Sequence, residues 1–265
     1  MPDPHNDAPA HDHWIETGPG RLFARSWDGA GTMSPIVLLH DSLGCVALWR
    51  SFPAALAQAT GRRVIAYDRL GFGQSDPSPG RLERDFVAAE SRGSFAAVRA
   101  TLDIGDFVAL GHSVGGGMAV SIAGDTPDAC RALITESAQA FVEDRTVEGI
   151  REAAHGFAQP GQMDRLARYH GDKAQWVLDA WVESWLSPDF ADWNLDQVLP
   201  RVRCPVLAIH GDADEFGSTR HPERIASLVA GPATTRILPG YGHVPHREHE
   251  ADVTAMIAQW LSDHG

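Results

Sequence analysis

Apolar residues recur in short unbroken runs at 35–40, 64–67, 107–110, 132–135 and 205–210, each followed by polar or glycine positions. Runs without alternation predict strands whose two faces are both covered. Between them, residues 48–59, 83–103, 221–230 and 247–262 carry apolar positions at helical spacing, and a further strand is predicted at 235–238. Strand and helix in alternation predict the α/β class, with a mostly parallel, doubly covered sheet. Ahead of it, 14–16 and 21–27 alternate around Gly18-Pro19-Gly20, the pattern of an antiparallel hairpin at a sheet edge.

The alternation stops between 137 and 199, where helical spacing dominates and no buried strand is predicted. This gives a polar, disordered arm over 1–13, an α/β core over 14–136 and 200–265, and a helical insertion over 137–199. The insertion holds four of the eight tryptophans, Trp176, Trp181, Trp185 and Trp193, with Phe157, Tyr169 and Phe190. Most of these rings are expected to form the insertion's own small core, and a few to face a pocket.

Composition narrows the partners. A chain of 265 residues, 43% apolar, with no run approaching the ~18 apolar residues of a membrane span, predicts no membrane segment. The opening Met1-Pro2-Asp3-Pro4 lacks a basic start and an apolar run, so export is not expected and a cytoplasmic location is. Cys45, Cys130 and Cys204 have neither disulfide-framework nor zinc spacing, and His5, His11 and His13 lack the ordered spacing of a metal site. No metal and no cofactor are expected. A net charge of −13 excludes a phosphate backbone or anionic membrane as the natural partner and favours small, uncharged substrates. The oligomeric state is open, with a homodimer as one option.

The chemistry centres on Gly111-His112-Ser113-Val114-Gly115, a G-x-S-x-G pattern between a predicted strand and a predicted helix. Flanking glycines let strand and helix close in a tight turn that lifts one hydroxyl clear of the sheet. Ligands of an open parallel sheet bind outside the carboxyl ends of its strands, and Ser113, Asp214 and His243 each follow a predicted strand, in that order. A serine hydroxyl needs an imidazole to take its proton, and the imidazole needs a carboxylate to fix its tautomer. Asp214 is favoured as that carboxylate over Asp212, whose place suits a turn cap. For the base, His243 is favoured; His246 and His249 are expected to be exposed, and His112 and His210 to serve in packing or support. The N–H groups of Val114 and Ser42 are the expected oxyanion donors, with Leu43 as the fallback for the second.

These residues resemble the α/β-hydrolase superfamily, in its cap-bearing branch of esterases, lactonases, perhydrolases and carbon–carbon hydrolases. The likeness rests on Leu38-Leu39-His40-Asp41-Ser42-Leu43-Gly44, Asp68-Arg69-Leu70-Gly71-Phe72-Gly73-Gln74-Ser75, Gly111-His112-Ser113-Val114-Gly115, Gly211-Asp212-Ala213-Asp214 and Gly242-His243-Val244-Pro245. Asp41 stands where that family usually has glycine. A serine at 113 argues against the branches with a carboxylate nucleophile, and Val244 stands where carbon–carbon hydrolases usually have tryptophan. The resemblance implies a serine hydrolase of small esters or lactones, with substrate contacts from Leu43, Trp181, Trp185 and Val244. The rival readings are a carbon–carbon bond hydrolase of a vinylogous diketone and a ligand-binding protein on the same fold.

Overall fold

The computed structural model describes residues 8–264. Eight strands form one sheet: β1 (Ala10–Glu16), β2 (Arg21–Trp27), β3 (Ile36–Leu39), β4 (Val64–Tyr67), β5 (Phe107–His112), β6 (Cys130–Glu136), β7 (Val206–Gly211) and β8 (Ala233–Leu238), in the spatial order β1-β2-β4-β3-β5-β6-β7-β8. Only the β1–β2 and β2–β4 pairs are antiparallel; all others are parallel. The expected hairpin is therefore at the sheet edge, but it is longer than the sequence suggests. Residues 10–13 belong to β1 rather than to a disordered arm, because His11 and His13 side chains bond Asp28 and Ser26 across the pair. The part of the arm over 1–7 lies outside the described residues.

Period-two alternation within the central strands divides the interior into two cores. Ile36 and Leu38, with Val108 and Leu110, face one core; Val37 and Leu39, with Phe107 and Ala109, face the other. The first core is closed by α1 (Phe52–Thr60) together with the C-terminal helix at Glu250–His264, through Phe52, Leu56, Val253, Ile257 and Leu261. Burying each such side chain contributes roughly 1.5–3 kcal/mol, so this helix pair is an essential cover rather than an accessory. The other core is closed by α2 (Phe86–Ala89), α3 (Ser94–Thr101) and α4 (Val114–Asp125). The single amphipathic helix predicted over 83–103 is broken before Gly93, whose N–H closes on Ala89 O.

Helices α5 (Asp144–Phe157), α6 (Gln162–His170) and α7 (Ala174–Trp185) follow β6, and α8 (Arg220–Leu228), α9 (Pro245–Glu248) and α10 (Glu250–His264) complete the chain. Only part of the aromatic set of 137–199 belongs to a small core of the insertion: Phe157 and Trp176 pack against a separate cluster of Leu166, Ala174 and Val177 that Phe72 completes. Trp185, Phe190 and Trp193 pack on one another and Phe190 stacks on Phe86, joining the main core, while Trp176 packs on Phe72. Three helices this short have too little interior to hide every ring, so the others close onto the sheet domain. No helix among the described residues is long and apolar enough to cross a membrane.

Candidate active site

The turn after β5 is tight. A Cβ on Gly111 would lie 2.0 Å from Gly115 O, and one on Gly115 would lie 2.2 Å from Leu39 O, so only glycine permits this packing. Ser113 takes φ 55° and ψ −125°, a conformation that L residues avoid and that costs of order 1–3 kcal/mol. Its N–H donates to Glu136 O at 2.9 Å, which pins the turn to β6. Ser113 stands at the N-cap of α4, so the Val114 N–H is among the helix's unsatisfied donors, at its positive end. Ser113 Oγ donates to Gln139 Oε1 at 3.3 Å and makes no hydrogen bond to His243.

His243 and Asp214 do meet. His243 Nδ1 lies 2.9 Å from both Asp214 carboxylate oxygens, and Asp214 Oδ1 also accepts the N–H groups of Phe216 (2.7 Å) and Gly217 (3.2 Å). Burial opposes the charge on Asp214, but His243 and the backbone donors outweigh it and lower its pKa. Asp212 instead accepts the Gly240 N–H at 2.6 Å, a turn-closing role. Arg145 donates to Asp214 O at 3.2 Å and Thr146 Oγ1 to Phe216 O at 2.7 Å, so the start of α5 is tied to the loop that carries the acid.

Of the other histidines, His249 is exposed, but His246 is buried, against the sequence expectation. The reason is Glu136 at the end of β6: its carboxylate accepts both the N–H of His246 (2.7 Å) and its Nδ1 (2.6 Å), and Trp49 and Phe52 pack on the ring. His112 Nε2 donates to His243 O at 2.8 Å, and its Nδ1 lies 3.2 Å from Asp41 Oδ2. One imidazole thus joins β5, the loop of His243 and the loop after β3.

That last loop departs from the sequence expectation. Asp41 Oδ1 accepts the Leu43 N–H at 2.8 Å, so the fallback donor is already occupied. The Asp41 carbonyl accepts from Arg69 Nη2 and His40 Nδ1, both at 2.7 Å. A trans peptide points its N–H opposite to its C=O, so the Ser42 N–H is turned away from Arg69. It has no acceptor among the described residues. Burial opposes charge on His112, but the hydrogen bond and charge of Asp41, with Glu136 nearby, push its pKa up to about 9; His112 in return holds Asp41 well below the usual carboxylate range against its own burial. Stability from His112 is fully present below its unfolded pKa of ~6.5 and is lost as pH rises through about 9, with a magnitude of order 3 kcal/mol. The melting temperature of Asp41→Asn is therefore expected to fall furthest below wild type near pH 6 and to approach it near pH 10; a gap that does not narrow with pH refutes the charged pair.

Ser113 and His243 line one cavity of about 200 Å³. Asp41, Ser42 and Leu43 form its edge after β3, Thr146 and Ile150 come from α5, Trp181 and Trp185 from α7, and Gln139, Phe216 and Arg247 complete it. Leu43, Trp181 and Trp185 are thus at the cavity, and Val244 is not among its lining residues. Gln139, Thr146, Ile150, Phe216 and Arg247 escaped the sequence reading; only Gln139, a lone amide just past a buried strand end, carried a signal there. A second cavity, of about 400 Å³, lies between the 81–86 segment and α7 and shares no lining residue with the first. No group of three His, Cys, Asp or Glu side chains among the described residues is arranged to hold a metal ion.

A family model described as alpha/beta hydrolase fold matches residues 34–178. The serine hydrolase BPHL of Mus musculus is 24% identical over 203 residues, covering 75% of this chain and 69% of its own. A putative non-heme chloroperoxidase of Synechocystis sp. is 28% identical over 275 residues, covering 89% of this chain and 94% of its own. Among solved structures, the enol-lactonase from Burkholderia xenovorans LB400 matches with a TM-score of 0.72 and 22% identity, over 94% of this chain and 100% of that one.

Proposed function

The chain belongs to the α/β-hydrolase fold family, and we propose that within it the protein is a serine hydrolase of small carboxylic esters or lactones, acting through an acyl-enzyme on Ser113. The observation that carries this reading is the hold on His243: Asp214 keeps the proton on Nδ1, which leaves Nε2 as the basic nitrogen in the cavity that Ser113 also lines. Ser113 Oγ turns from Gln139 toward His243, passes its proton to Nε2 and attacks the substrate carbonyl; apo geometry is commonly looser than the reacting geometry. The oxyanion is received by the N–H groups of Val114 and Ser42, which have no competing acceptor among the described residues. His243 then protonates the leaving oxygen, and water, activated by the same imidazole, releases the acid. The segment 137–199 acts as a cap whose Ile150, Trp181 and Trp185 shape the apolar part of the pocket. The mouse relative's designation as a serine hydrolase fits this reading.

A series of p-nitrophenyl esters of rising acyl length tests it. A cavity of about 200 Å³ favours short chains, so kcat/KM is expected to fall about tenfold or more from butyrate to decanoate. Silence across the series with Ser113 still labelled by a fluorophosphonate would redirect the assignment to carbon–carbon cleavage of a vinylogous diketone. Saturable small-molecule binding without turnover or labelling would make the protein a binding module.

A further inference from the structure

Arg247, on α9, lines the mouth of the Ser113 cavity beside Asp41, Ser42, Leu43 and His243. It forms no ion pair among the described residues. The nearby carboxylates are committed elsewhere: Asp41 to His112 and the Leu43 N–H, Asp214 to His243, and Glu248 to the N–H groups of Gly242 (2.7 Å) and Val244 (3.1 Å). The guanidinium is therefore a cation without a counter-ion at a site whose remaining walls include Ile150, Trp181, Trp185 and Phe216. Gln139 adds a second donor. Its Oε1 is engaged by Ser113, whereas its Nε2 has no partner among the described residues and is not among their enclosed unsatisfied atoms, so it opens into the cavity that Gln139 lines.

We infer that the substrate carries its own anionic group, and that the cavity takes a carboxylate-bearing ester or lactone whose carboxylate pairs with Arg247 while its apolar part lies against the tryptophans. This rests on the hydrolase reading for its reaction but on Arg247 for its specificity. The net charge of −13 favours uncharged substrates when taken over the whole chain. Charges beyond the ~8–10 Å screening length at physiological salt contribute little, however, so a guanidinium in contact decides the sign at the site. Its planar fork matches a carboxylate with two parallel N–H bonds, which an ammonium does not.

The test compares p-nitrophenyl hydrogen glutarate with p-nitrophenyl 5-methylhexanoate, in which an isopropyl group replaces the carboxylate at nearly constant shape. The ratio of their kcat/KM values, anion over neutral, is expected to fall about tenfold in Arg247→Gln, mainly through KM for the anion. Arg247→Lys should retain part of the preference, and added salt should erode it in wild type. A ratio unchanged by Arg247→Gln overturns the inference. A second readout does not need turnover: calorimetric binding of monomethyl glutarate to Ser113→Ala should weaken about tenfold when Arg247→Gln is added. Hydrolysis of both esters with no dependence of the ratio on Arg247 removes the subsite and leaves the hydrolase. Arg247-dependent binding of monomethyl glutarate with no hydrolysis of either ester removes the hydrolase and leaves the subsite.

Discussion

Replacing Ser113 with alanine is expected to lower kcat by about 10⁴–10⁶-fold and to abolish fluorophosphonate labelling, without unfolding the protein. The loss is large because no neighbour can substitute. Gln139, the side chain now bonded to Ser113 Oγ, is an amide and offers no nucleophile, and the nearest cysteine after β3, Cys45, is buried with its thiol pushed up to about 12, first by desolvation and then by Asp68. The fold is insulated from the change because what holds this turn is backbone: the Ser113 N–H to Glu136 O and the close approach of Gly111 to Gly115. Strain gives a second, opposite readout. At φ 55° and ψ −125° glycine is far less hindered than serine, so Ser113→Gly should lose the same activity while gaining of order 1 kcal/mol of stability, seen as a higher melting temperature. Retained turnover in Ser113→Ala would end the serine assignment. A Ser113→Gly variant less stable than Ser113→Ala would show that the turn is not strained.

The strands were legible because both faces of the central sheet are covered, so Ile36–Leu39, Val64–Tyr67 and positions 107–110 of β5 are apolar throughout and stand out without any alignment. The start of β1 was not, because Ala10–His13 lie on an exposed edge strand where His11, Asp12 and His13 are satisfied by solvent as well as by Asp28, Arg25 and Ser26. Ser113, Asp214 and His243 could be nominated because each follows a strand, and strand ends converge on one edge of a parallel sheet. Burial of His246 could not be read, because it depends on Glu136, 110 positions away, and a histidine two residues into a polar helix start looks exposed in any local window. The same limit applies to Arg247. Helical spacing marks it as solvent-facing, and only the path of the loop after β3 brings the Ser113 cavity to its side.

Asp214→Asn should cost about 10⁴-fold in kcat while the protein remains folded, for a reason that can be followed atom by atom. Asp214 Oδ1 already accepts two backbone N–H groups, those of Phe216 and Gly217. In the variant the amide oxygen must keep that place, since an NH₂ group would leave both donors facing another donor. The NH₂ then occupies the Oδ2 position, 2.9 Å from His243 Nδ1, and donates to it, since the neutral amide oxygen at the Oδ1 position, also 2.9 Å away, is already engaged by the two N–H groups. The imidazole proton is driven to Nε2, where it points at Ser113 as a donor when the reaction needs an acceptor. His210, whose Nε2 lies 3.4 Å from Asp214 Oδ2, offers no rescue: burial lowers its pKa, and that nitrogen donates to Gly217 O at 3.1 Å. Asp212→Asn is the discriminating control. Asp212 is exposed and accepts only the Gly240 N–H, a bond an amide oxygen can replace, so its kcat should stay near wild type. Equal losses in the two variants would mean that the loop, rather than the carboxylate on His243, is what the activity needs.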